Sequence, residues 1–174
     1  MPSEYRGPHP GGMTMDAKLL ERVLLAFKKV GLEVVLVGNA GAAVHGSPVT
    51  TLAADCVIRE TALNMKKARA AAKDLGCTIS QPFLPASDVV RLEGGGLQVD
   101  LMYSIDQRSF EHIRSRAVWK SVGSAKVRVA CMEDIIQSKR KANRPKDRAM
   151  IPILEETLRV IKEVERIERK SGSA

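Results

Sequence analysis

A chain of 174 residues is long enough to bury one sizeable core, and 44% hydrophobic with 28% charged residues is the composition of a soluble globular domain. No apolar run approaches the roughly 20 residues that span a bilayer, and the opening MPSEYRGPHPGGMTM has no apolar centre of the signal-peptide kind. The net charge of +8 favours acidic partners such as nucleotides or nucleic acid, although only 3% aromatic residues leave few stacking platforms for single strands.

Residues 1–13, rich in Pro, Gly and polar groups, read as a disordered tail. Residues 14–174 read as a single domain whose C-terminal helical segment starts near 131. Asp16 to Val30 repeats apolar residues at helical spacing, with Lys28 and Lys29 at the negative end and Gly31 as cap. Glu33 to Gly38 is a β-branched run that predicts a buried strand, and Asn39 to Val44 a short Ala-rich helix. His45 to Pro48 is a turn, and Thr51 to Ile58 a second strand. Thr61 to Leu75, closed by Gly76, predicts a helix. Asp88 to Leu92 and Leu97 to Met102 flank three glycines and predict a β-hairpin. Arg108 to Arg114 reads as a short helix and Val127 to Ala130 as a short strand. Glu133 to Ala142 and Lys146 to about Lys170 are helical by pattern, with Pro152 expected to kink or restart the last. The order is that of an α/β (α+β) layer protein with a mixed β-sheet and C-terminal helices.

Cys56, Cys77 and Cys131 are odd in number and lack a CxxC spacing, which points away from a disulfide framework or a zinc site and towards a reducing, cytoplasmic setting. His9, His45 and His112 are equally scattered. Two acids stand out instead. In the strand Leu97 to Met102, Leu97, Val99 and Leu101 share one face, so Asp100 projects from the other, where a cation or solvent can meet it. In the strand Thr51 to Ile58, Asp55 shares a face with Ala53 and Val57, among small and apolar neighbours where a carboxylate needs donors or a cation. For either acid an ordinary ion pair or plain exposure is the competing reading. The stretch Lys139, Arg140, Lys141, Arg144, Lys146 and Arg148 contains only Asp147 as an acid, and is either a solvated pair of helix faces or a phosphate-neutralising segment. His45 reads as a turn or packing residue.

Taken in order, Leu36-Val-Gly-Asn-Ala40, His45-Gly-Ser-Pro-Val-Thr-Thr51, the acidic strands and the segment Glu133 to Asp147 resemble the nucleotidyltransferase superfamily that includes DNA polymerase beta. More narrowly, they are similar to small bacterial nucleotidyltransferase-like proteins related to the toxins of type IV toxin–antitoxin pairs. The resemblance covers roughly residues 16–160 and implies the nucleotidyltransferase fold. It also implies binding of an NTP with Mg2+ (or Mn2+), and transfer of a nucleotidyl group to RNA, a protein hydroxyl or a small molecule. It places Gly38 and Asn39 at the triphosphate and Asp55 and Asp100 as metal-binding catalytic carboxylates. By their own chemistry, Lys139 or Arg144 could neutralise the triphosphate or an acceptor's backbone and Thr51 could offer a hydroxyl to phosphate, against the readings of solvated helix faces and of plain β-propensity. The first carboxylate of the pattern falls on Ala53, so the resemblance implies reduced or lost transfer. A non-catalytic nucleotide or nucleic-acid module, and a toxin–antitoxin interaction partner, are the alternative readings.

Overall fold

The computed structural model describes residues 15–172; the predicted tail at 1–13 lies outside them. In chain order the elements are α1 (Ala17–Val30), β1 (Val35–Val37), α2 (Gly38–Val44), β2 (Ala54–Val57), α3 (Ala62–Leu75), β3 (Thr78–Ser80), β4 (Val90–Gly94), β5 (Leu97–Met102), β6 (Ser104–Ile105), β7 (Arg108–Ser109), α4 (Phe110–Arg116), β8 (Val118–Val122), β9 (Ala125–Val129), α5 (Met132–Ala142) and α6 (Pro145–Gly172).

Seven of the strands form one mixed sheet in the order β3-β4-β5-β2-β1-β9-β8. The pairs β2–β5 and β1–β9 are parallel, and the rest are antiparallel. Strand alternation divides the core between the two faces. Leu36, Ala54, Cys56, Leu92, Val99 and Leu101 pack with α1 and α3 on one side. Val35, Val37 and Val57 pack with Phe110, Ile113, Ile135, Ile136 and Leu154 on the other. The C-terminal helices therefore cover the face from which Asp55 projects.

Local chemistry explains the helix ends. The Asp16 carboxylate accepts from the Leu19 amide at 2.8 Å and starts α1, while Gly31 ends it at φ 71°. Thr61 and Gly76 do the same for α3. Pro145 occupies the first turn of α6, where its missing N–H costs nothing. The Asp147 carboxylate reaches back to the Arg144 amide at 3.2 Å, half of a capping box.

Several boundaries differ from the sequence-based expectation. The second strand starts at Ala54 rather than Thr51, because residues 52 and 53 form a bend before the ladder to Val99 begins. The first hairpin strand runs from Val90 to Gly94 rather than from Asp88. Arg108 and Ser109 pair with β6, so the short helix begins at Phe110, capped by Ser109. Pro152 does not restart the last helix. It is exposed, as is Arg148 one turn earlier, so the lost backbone bond falls on the solvent side. Four strands were not expected: β6 and β7 form a two-residue ladder of their own, and β3 and β8 are the sheet's edges, where each buries too little apolar surface to show alternation. No helix among the described residues is long and apolar enough to cross a membrane.

Candidate functional site

The parallel register of β2 and β5 sets Asp55 directly beside Asp100. The neighbouring strands extend this into a row: Val37 opposite Asp55 on one side, Arg91 opposite Asp100 on the other. Side chains at paired positions share a face, so one line of the sheet carries two carboxylates and a guanidinium. Arg91 holds both oxygens of Asp100, with Nε at 2.8 Å and Nη2 at 3.0 Å. Its guanidinium also stacks 5.1 Å from the Phe83 ring centroid. The Asp100 side chain is 13% exposed.

Asp55 is held differently. The chain turns at Gly38 with φ +61°, and a Cβ at that position would meet Asp55 Oδ2 at 2.7 Å. The end of β1 therefore passes against the Asp55 carboxylate at a distance only glycine allows. No ion pair or hydrogen bond reaches that carboxylate from the described side chains. Burial, with the Asp100 charge second, pushes its pKa up to about 6, and the positive charges of Lys139, Arg91 and Arg144 pull the other way.

Those last residues arrive from the C-terminal helices. Lys139 lies on α5 and Arg144 in the joint before α6, where Asn143 takes the left-handed conformation that ends α5. Asp147, fully buried, ties the two together. Arg144 Nε donates to it at 2.6 Å, and Lys139 Nζ stands 3.5 Å away. Burial would raise the Asp147 carboxyl, but the Arg144 bonds outweigh it and hold the carboxyl below the usual range. Burial lowers the Lys139 ammonium, partly offset by Asp147. The basic segment thus sets a largely buried Lys139 and a half-exposed Arg144 on Asp147, while Arg140 pairs with Glu155 on the surface.

Other expected residues sit as follows. Asn39 donates to the Thr50 carbonyl at 3.4 Å, and its Oδ1 is buried with no partner among the described residues. Thr51 is buried, and its hydroxyl donates to the Ala53 carbonyl, so it shapes the entry to β2. His45 Nε2 donates to the Ala130 carbonyl at 2.8 Å and burial lowers its pKa, in keeping with a packing residue. Ala53 stands in the bend just before β2. Arg91 escaped the sequence reading, although a hairpin register counted outward from Gly94 and Leu97 puts it opposite Asp100.

This donor set fits a divalent cation poorly. Among the described residues no three His, Cys, Asp or Glu side chains gather at one place. Of the two acids present, Asp100 already has both oxygens engaged by Arg91, and Ala53 offers no donor. Mg2+ keeps several waters but wants anionic oxygens free to approach at close range.

No protein-family model matches the chain, and none of the curated proteins matches it in sequence. Solved structures do. The antibiotic-resistance factor ANT(2'')-Ia in complex with adenylyl-2''-tobramycin superposes with a TM-score of 0.61 at 18% identity, covering 91% of this chain and 98% of that one. The same factor in solution gives 0.60 at 13% identity, covering 90% and 94%. A nucleotidyltransferase from Thermotoga maritima gives 0.55 at 14% identity, covering 90% and 92%. The chain has the nucleotidyltransferase fold, over nearly the whole of its length.

Proposed function

We propose that the chain binds a nucleoside triphosphate where Gly38 and Asn39 meet the Asp55–Asp100 row, and that its nucleotidyl transfer is residual. Lys139 and Arg144, held together by Asp147, lie near enough to the carboxylate beside Gly38 for their charge to act on it, and that proximity carries the reading. Fixed cations at such a place neutralise phosphate oxygens, and a glycine at φ +61° leaves the backbone open to them. The unpartnered Asn39 Oδ1 is available to a donor such as a ribose hydroxyl. The adenylyl adduct held by ANT(2'')-Ia supports a nucleotide over other phosphorylated ligands.

Nucleotidyl transfer joins an acceptor oxygen to the α-phosphorus, breaks the bond to the diphosphate and requires the acceptor hydroxyl to lose its proton. Asp55, with its carboxyl at about 6, is the group suited to take that proton near neutral pH. Lys139 and Arg144 are suited to the charge growing on the leaving diphosphate. With Ala53 in place of a further acid and Asp100 bound by Arg91, positioning is loose, and misplacement by ~1 Å costs on the order of a hundredfold in rate. The acceptor in this proposal is an RNA or protein hydroxyl, and the setting cytoplasmic, in keeping with three free cysteines.

Calorimetric titration with ATP, GTP, CTP and UTP tests the binding. Replacing Lys139 and Arg144 together by Gln should weaken it at least tenfold, by an order-of-magnitude reckoning for two charge-assisted contacts. Equal affinity in the double variant would return these residues to a purely structural role.

A further inference from the structure

Away from the acidic row, a cavity of about 720 Å³ opens where the end of α1 meets the β8–β9 edge of the sheet. Its lining combines the apolar side chain of Phe27 with Trp119, Arg128 and three lysines, Lys28, Lys120 and Lys126. Trp119 is the chain's single tryptophan, and it is 58% exposed on an edge strand. One face of its ring is covered by the Arg128 guanidinium, 4.5 Å from the centroid. Burying indole is the ordinary outcome in a monomer, so a tryptophan left open beside cations invites a planar partner.

The charge around it is uncompensated. The acid in the lining is Glu33, and it is already held by Arg59, Arg114 and Arg128. The ammonium groups of Lys28, Lys120 and Lys126 make no ion pair or hydrogen bond with other described residues. They come from three elements, α1, β8 and β9, and the register sets Lys126 on the Trp119 face of the edge strand and Lys120, opposite Val127, on the face covered by α1, so the cations flank the edge from both sides. Three separated, unpaired ammonium groups suit several phosphates spaced along a backbone better than a single anion. An aromatic face among them suits a base, because stacking on indole needs only a π-face. The overall charge of +8 agrees with a polyanion.

We propose that this edge of the sheet binds single-stranded nucleic acid, with one base stacked on Trp119 and the flanking phosphates on Lys28, Lys120 and Lys126. The site is separate from the acidic row, and it stands whether or not that row binds nucleotide.

The lone tryptophan makes the test direct. Intrinsic fluorescence of the full chain is followed during titration with a short oligouridine, with UMP at equal nucleotide concentration, and with polyglutamate. The proposal expects a saturable change with the oligouridine, at least about tenfold weaker binding of UMP, and no response to polyglutamate. Affinity should fall as salt rises, and K120Q/K126Q should flatten that dependence by about 1.4 in log–log slope, two contacts at about 0.7 each. K139Q/R144Q should leave it unchanged. Fluorescence that stays constant while a labelled oligouridine binds elsewhere would overturn the proposal, as would no binding at all. UMP matching the oligouridine would assign a free-nucleotide pocket instead, and polyglutamate reproducing the change would assign an acidic protein; either overturns it.

Discussion

Replacing Asp55 by Asn should make the protein more stable, and the gain should depend on pH in a fixed direction. The carboxyl ordinarily ionises at 3.8 but here only at about 6, because it is buried beside Asp100. Between those values the folded chain holds a proton that the unfolded chain has released. Raising pH through this window therefore favours unfolding, and above it the penalty is complete. About two pKa units correspond to roughly 3 kcal/mol at 1.36 kcal/mol each. Asn has the same shape and no charge, so it removes the penalty. Urea unfolding of both proteins from pH 4 to pH 8 should show little difference at the acid end and a gain of about 2–3 kcal/mol at pH 8. In a domain of this size that gain is a rise of roughly 5–10 °C in Tm. Equal stability at pH 8, or a loss, would mean that Asp55 is well compensated by Lys139 and Arg144, and the description of the site would be wrong.

Gly38→Ala should cost about 2 kcal/mol in urea unfolding, from the left-handed backbone and the 2.7 Å approach to Asp55 Oδ2; in an Asp55→Ala background the steric share should vanish, and an undiminished cost would place the strain elsewhere. Asp147→Asn should cost roughly 2–3 kcal/mol, less than a fully buried pair would because Arg144 is 56% exposed. That loss should shrink as pH falls below the usual Asp range, since the native carboxyl is held low by Arg144 and its contribution disappears once it is protonated. Ala53→Asp should lower stability in EDTA, recover it when Mg2+ is added, and raise transfer of labelled nucleotide; no Mg2+ response would show that position 53 does not face Asp55.

The fold was legible where local chemistry repeats. The apolar spacing closed by Gly31 and Gly76 marked α1 and α3, and alternation around Asp55 and Asp100 marked the central strands. The edges were not, because Thr78–Ser80 and Val118–Val122 are short and mostly outside the core, leaving no apolar period to read. Asp55 and Asp100 were found as candidates from their strand faces, and their adjacency follows from a parallel register that only the folded sheet supplies. Arg91 escaped for a different reason: its register opposite Asp100 can be counted from the hairpin turn, but an arginine in an amphipathic strand looks like solvent-facing charge. Lys139 and Arg144 were singled out from a run of cations, but their turn towards Asp147 depends on the joint at Asn143 and Pro145.

The central claim is that a nucleotide's phosphates lie between the backbone at 38–39 and the Lys139–Arg144 pair. A crystal structure of the chain soaked with a non-hydrolysable ATP analogue measures this directly. The account predicts phosphate density beside Gly38, within hydrogen-bonding reach of Lys139 or Arg144, with Asp55 facing the α-phosphorus. Density confined to the Trp119 edge, or no bound nucleotide at saturating concentration, would contradict it.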